Sequence, residues 1–249
     1  MSITEDVPSA APASSPVRTW WWLVAASALV LALVAGVLLI WWTASRESRT
    51  TSYRVLGDLA GIDLDLGDAD VQLDGGGGAV ELRRVDDFSF GHPSTERRSV
   101  QDNVLHIVST CPDQVLGACK TAYRLTVPDN VPVRVQTSSG SVRLTGVRAS
   151  VQISTGSGAI AASGFCGHAL RAVSDSGAVT AAADCSVEQM VLRSRSGDVR
   201  AVVPSGRYRV DAQSDAGSRR VRGVVVSDDA SFAVQALSTS GDVAVDGAS

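Results

Sequence analysis

Between residues 133 and 245, apolar and polar positions alternate in short runs, and the runs return at a nearly constant interval. A Ser-Gly pair with an apolar residue two positions after the Gly marks each return. It reads Ser139-Gly140-Ser141-Val142, Ser157-Gly158-Ala159-Ile160, Ser176-Gly177-Ala178-Val179, Ser196-Gly197-Asp198-Val199 and Ser240-Gly241-Asp242-Val243, with Ala216-Gly217 as a degenerate copy. Successive glycines lie 18, 19, 20, 20 and 24 residues apart. Four residues after each stand Leu144, Ala162, Ala181, Ala201, Val221 and Val245; seven before stand Val133, Val151, Leu170, Met190, Val210 and Val234. Each repeat therefore holds two short segments with apolar residues at every second position. Period two is the strand signature, because successive side chains point to opposite faces. Arg134, Gln152, Arg171, Arg193 and Gln213 fall between the apolar positions and should face water.

A coil of this size cannot bury its apolar side alone, whereas stacked coils build one continuous core. The pattern thus predicts an all-β fold, a single-stranded β-solenoid of roughly 20-residue coils. The repeat-turn glycines Gly140, Gly158, Gly177, Gly197, Gly217 and Gly241 suit a turn that needs positive φ. Three residues before them runs a hydroxyl column, Thr137, Thr155, Ser174, Ser194, Ser214 and Ser238. Such a column can hydrogen-bond along itself and to turn backbone. It runs the length of the repeat without a partner base, so it reads as structure rather than catalysis.

Upstream the repeat is weaker but alternation continues in Ile62, Leu64 and Leu66, in Val71 and Leu73, in Val80 and Leu82, and in the segments 104–108 and 123–127. We expect residues 55–132 to form a β cap and first coils, closing an end that would otherwise expose unpaired backbone, and residues 133–249 to form the regular repeats. Gly75–Gly78 is followed by neither Gly-Lys-Ser/Thr nor a helix, so it is no phosphate loop. Asp63, Asp65, Asp68, Asp70 and Asp74 raise a calcium reading. No calcium-loop pattern accompanies them, and strand alternation accounts for a charged outer face. No cofactor or metal is expected.

Ahead of this domain, Trp20 to Trp42 is an uncharged apolar run of 23 residues. At about 1.5 Å per residue it crosses a hydrocarbon layer of roughly 30 Å. Trp20, Trp21 and Trp22 at one end and Trp41 and Trp42 at the other suit the two headgroup levels. A cleaved signal peptide carries a shorter apolar region. The expected layout is a short disordered cytoplasmic tail at 1–18, a transmembrane helix at 19–42 and a linker at 43–54. Arg46, Arg49 and Arg54 after the span outnumber Arg18 before it, which favours a cytoplasmic C-terminus. The short polar tail and the large domain behind a single span favour the reverse.

The cysteines bear on that choice. Cys166 and Cys185 each lie eight residues beyond a repeat glycine, so stacking places them in register at about 4.8 Å, within disulfide reach. The register pairs 166 with 185 and leaves Cys111 to pair with Cys119 across the loop 112–118. No CxxC spacing occurs, and His92, His106 and His168 are scattered. Paired cysteines after a membrane span imply an oxidising compartment, hence a single-pass cell-membrane protein with a cytoplasmic N-terminus and an extracytoplasmic domain. A net charge of −4 leaves no footprint for nucleic acid.

The strand Ile62-Asp63-Leu64-Asp65-Leu66-Gly67-Asp68, the strand from Tyr123 to Pro128 before Val131-Pro132-Val133, and the serial S-G-[DAS]-[VI] turns resemble the adhesin-like β-solenoid domain of bacterial envelope proteins, a family largely of unknown function. The resemblance covers roughly residues 55 to 247. It implies a single-chain β-solenoid, often behind an N-terminal span, and brings no catalytic residues. Ala216-Gly217-Ser218-Arg219 departs from it, as does the long last interval. The expected function is a non-catalytic structural or interaction role at the cell envelope, with the lipid bilayer and an unidentified envelope protein or glycan as partners. The alternatives are a sensor of envelope state and a carbohydrate-active β-helix enzyme. The enzyme would need paired carboxylates on one strand column, yet Asp175, Asp184, Asp198, Asp211, Asp215 and Asp242 fall mostly in turns at differing offsets.

Overall fold

The computed structural model describes residues 16–44, 46–89, 92–112 and 119–248. Most of the expected tail and the loop 113–118 lie outside the described residues. Two units result, one ending at Arg46 and one beginning at Glu47. In the first, Pro16–Ala44 form a helix, α1. Its stretch Trp20–Thr43 is long and apolar enough to cross a membrane, and none of it is buried. In the last turn the Thr43 hydroxyl donates to the carbonyls of Leu39 and Ile40, so the helix satisfies its own polar side chain.

The second unit is built of strands. β1 (Arg46–Val55) occupies most of the stretch 43–54 that was expected as linker. It lacks apolar alternation, but Thr50, Thr51 and Tyr53 suit an extended chain, and the strand Val80–Ser89 pairs with its backbone. β2 (Gly61–Leu66) and β3 (Ala69–Gly75) make the first coil; β4 (Val80–Ser89) and β5 (Thr95–Gln101) follow it, and β6 (Val104–Thr110) and β7 (Cys119–Val127) make the second. Four regular coils come next: β8 (Val133–Thr137) with β9 (Val142–Thr145), β10 (Val151–Thr155) with β11 (Ile160–Phe165), β12 (Ala169–Ser174) with β13 (Val179–Ala183), and β14 (Gln189–Ser194) with β15 (Val199–Pro204). The chain finishes with β16 (Arg207–Ser214), β17 (Arg219–Arg222), the short β18 (Val225–Val226), β19 (Ala233–Ser238) and β20 (Val243–Ala248).

Each coil gives one strand to each of two ten-stranded sheets. The first sheet runs β1-β4-β7-β3-β9-β11-β13-β15-β20-β17 and the second β18-β16-β19-β14-β12-β10-β8-β2-β6-β5. All pairings from β6 and β7 through to β16 and β17 are parallel, whereas β4 and β5 pair antiparallel with β7 and β6. Between the sheets the inward columns, Ile62, Val133, Val151 and Leu170 among them, are almost wholly buried.

The coils do not stack in chain order at either end. β2 and β3 lie between the β6–β7 coil and the β8–β9 coil. Likewise β19 and β20 insert between the β14–β15 coil and the β16–β17 coil. This explains the departure at Arg219, whose register partner is Val243 in the inserted coil. The degenerate copy is the outermost coil, so its inward position has no coil beyond it to pack against. Arg219 is exposed, and its guanidinium reaches the Ala212 carbonyl at 3.4 Å.

The repeat-turn glycines require a different explanation from the one expected. None of the six has positive φ. A Cβ on Gly158, Gly177, Gly197 or Gly241 would overlap the carbonyl of the equivalent glycine in the adjoining coil, so close approach of backbones selects glycine here. Positive φ falls instead six residues later, at Gly146, Gly164 and Gly223 (62°, 62° and 69°).

Candidate functional site

The hydroxyl column bonds to backbone on both sides. Gly158, Gly177, Gly197 and Gly241 donate their N–H groups to Thr155, Ser174, Ser194 and Ser238 at 3.1, 2.8, 2.8 and 2.9 Å. The same hydroxyls donate to the glycine carbonyls of the adjoining coil, Gly140, Gly158, Gly177 and Gly197, at 2.8–3.1 Å. The one hydroxyl proton of each is thereby committed. The column is a staple between coils and offers no nucleophile.

Two disulfides lie in the same unit. Cys166 and Cys185 join adjoining coils with Cα atoms 5.0 Å apart, and Cys111 and Cys119 close an eight-residue separation at 5.9 Å. Four of the five acidic residues weighed for calcium, Asp63, Asp68, Asp70 and Asp74, have protein partners. Asp68 accepts from the Ser139 hydroxyl at 2.7 Å and Asp70 from the Ser141 N–H at 2.8 Å, while Asp63 lies 3.5 Å from His106 Nδ1. Among the described residues, no three His, Cys, Asp or Glu side chains gather as a metal site would need. Asp198 and Asp242 do share one offset, directly after the turn glycine. Asp198 accepts from the Asp242 N–H at 2.8 Å, and Asp242 from the Ser218 N–H at 2.7 Å. That backbone hydrogen bond holds the Asp242 carboxyl below the usual carboxylate range.

A second polar cluster has no counterpart in the repeat pattern. Past the β6–β7 coil, the space between the sheets is filled by charged side chains from β4 and β5 and by polar ones from β7. Arg84 pairs with Asp86 at 2.8 Å and with Glu96 at 3.1 Å, all three side chains being nearly buried. Ser94 and Thr121 complete the hydrogen bonds to Asp86 at 2.5 and 3.2 Å. Glu96 also accepts from the Tyr123 and Tyr53 hydroxyls at 2.8 and 3.3 Å, and the Arg98 guanidinium stacks over Tyr53. Burial, reinforced by the Glu96 carboxylate, pushes both phenols well above the usual tyrosine range. Each buried group has a partner, which marks the cluster as a cap.

The accessible chemistry lies on the outer faces. Along the second sheet one outward column reads His106, Asp63, Arg134, Gln152, Arg171, Val191, Gln235 and Asp211 in spatial order. Its ends carry internal contacts, although the buried Arg193 Nε has no acceptor among the described residues. Asp63 faces His106, and at the other end Arg193 donates to Gln235, which with Gln213 donates to Asp211. Those two amides hold the Asp211 carboxyl below its ordinary range. In the middle, Arg134 is steadied by the Gln136 amide oxygen at 2.9 and 3.0 Å, and among the described residues neither Arg134 nor Arg171 pairs with a carboxylate. Beside them opens a groove of about 480 Å³, lined by Arg134, Gln152, Arg171 and Gln189, by Asp63, and by apolar residues that include Val104, Pro132 and Val191. Sequence alternation assigned the arginines and Gln152 to the surface, but only the register shows that they share a groove.

The chain belongs to the Toastrack DUF4097 family, whose model matches residues 70–223. No curated protein matches it in sequence. Among solved structures it is similar to a protein described as a "putative cell adhesion protein" from Clostridium sporogenes ATCC 15579, with 12% identity and a TM-score of 0.54 over 81% of this chain and 100% of that one. A "putative adhesin" from Bacteroides fragilis NCTC 9343 shows 13% identity and a TM-score of 0.38 over 81% of this chain and 97% of that one. The domain is thus an adhesin-like Toastrack β fold behind one apolar N-terminal helix.

Proposed function

We propose that this protein is a single-pass membrane protein that displays a non-catalytic β-solenoid outside the cell for contacts at the envelope. In this reading residues 1–18 are cytoplasmic, 19–42 span the bilayer, and the remainder is extracytoplasmic. Trp20, Trp21 and Trp22 sit at one headgroup level and Trp41 and Trp42 at the other. The observation that carries it is an unburied apolar helix followed directly by a domain with two disulfides. The cell-adhesion description of the Clostridium sporogenes protein supports the interaction role. Against catalysis stand the committed hydroxyl column and the partnered carboxylates.

Intact cells expressing the full chain test it by labelling with a membrane-impermeant maleimide. Labelling should appear once an external reductant opens the disulfides, with the chain resisting alkaline extraction from membranes. Labelling that needs permeabilised cells would refute the orientation, and release by alkali would refute the anchor.

A further inference from the structure

We propose that the groove on the second sheet binds a linear anionic glycan lying along the stack, across β8, β10, β12 and β14. The inference rests on the display reading above and names the partner class of that surface. Arg134, Gln152 and Arg171 occupy one outward column on three successive coils, so cation, amide and cation recur at about 4.8 Å steps. Among the described residues the two guanidiniums have no carboxylate partner, and the one carboxylate that lines the groove, Asp63, stands 3.5 Å from His106 Nδ1. Guanidinium forks match carboxylates or other oxyanions in pairs.

Two features favour a glycan over an acidic peptide. Strands β8 to β14 are each paired on both sides, so the groove offers no free edge on which a peptide could add as a strand. A peptide crossing them would leave its own amides unpaired, whereas the amides of Gln152 and Gln189 can bond ring hydroxyls. The apolar lining is aliphatic, Val104, Pro132 and Val191 among it, with no aromatic ring on which a neutral sugar could stack. Recognition must therefore come from the arginines, which selects charged chains.

The test is calorimetric titration of the detergent-solubilised full chain with hexagalacturonate, maltohexaose and hexaglutamate. Hexagalacturonate should bind in a salt-sensitive manner and the other two should not. Arg134→Gln and Arg171→Gln should each weaken binding by about tenfold, as loss of a charge-assisted hydrogen bond does. Arg220→Gln, an exposed change on the first sheet, should leave it unchanged, and unaltered thermal midpoints would show the variants folded. Equal binding of hexaglutamate or maltohexaose, binding that survives R134Q/R171Q, or absence of hexagalacturonate binding would each overturn the proposal. None of these results touches the maleimide experiment, so failure of the ligand class and failure of the display reading are distinguishable.

Discussion

The two ends of the solenoid face one problem, an open core and unpaired strand edges, and meet it in different ways. At the β6–β7 end the sheets continue into antiparallel strands β4 and β5, and the inward side chains turn charged: Arg84, Asp86 and Glu96 satisfy one another there. At the far end the addition is small, the two-residue β18 beside β16. The chain skips one position, lays down the Arg-rich β16–β17 coil outermost, and returns with the well-formed β19–β20 coil to fill the gap. The same crossing places β2 and β3 inside β6 and β7. The first and last coils in sequence are therefore interior, which locks segments that would otherwise fray. A repeat protein can thus place its least apolar coil at the exposed position irrespective of where that coil falls in the chain.

The sharpest way to break the comparison is to exchange residues between the inserted and outer coils. Val243→Arg buries an unpaired charge and should cost about 5 kcal/mol or more, enough to unfold most domains. Arg219→Val, at the register-equivalent outer position, should change thermal stability by less than about 1 kcal/mol. At the other end, Arg84→Leu strands two buried carboxylates and should cost about 3–5 kcal/mol in denaturant unfolding. Replacing Arg84, Asp86 and Glu96 together by leucine should recover most of that loss, because the penalty lies in the unpaired charges.

Smaller effects grade along the hydroxyl column. Ser194→Ala leaves the Gly197 N–H and Gly177 carbonyl without their partner in the interior and should cost about 1–2 kcal/mol. Ser214→Ala, in the more exposed outer coil, should cost less, a difference that thermal melts would resolve. The smallest effect is a pH dependence. The Asp211 carboxyl is depressed when folded, so its contribution is complete above the ordinary carboxylate range and fades as pH falls through the folded value. Melting wild type and Asp211→Asn across acid pH should show a gap that closes toward low pH.

The coil register was legible from residue 133 onward because every coil repeats the same alternation around one glycine. The order of coils in space was not, since Val199, Val243 and Val179 obey one pattern and any of those coils could neighbour another. Only the 24-residue last interval and Arg219 hinted at a crossing. The glycines were located by the repeat, but their reason was misjudged: spacing along the chain reveals a constrained backbone without saying whether φ or a neighbouring carbonyl constrains it. β1 was hidden by its polar composition. Arg84, Asp86 and Glu96 were hidden because charged residues read as outward until the burial they share, across β4 and β5, is known. The groove needed both alternation, which put Arg134 and Arg171 outside, and register, which put them on successive coils with Gln152 between.

The crossing is tested most directly by engineered cross-linking. Val191 and Gln235 are register partners in the crossed order, whereas Val191 and Asp211 would be partners if coils stacked in chain order. One coil lies between the latter pair, so they stand two strand spacings apart, about 9.6 Å, beyond the roughly 7 Å limit for a disulfide. Val191→Cys with Gln235→Cys should oxidise to a new intramolecular disulfide, detected by mass spectrometry of proteolytic fragments. Val191→Cys with Asp211→Cys should leave both thiols free. Formation of the second bridge in place of the first would contradict the crossed solenoid.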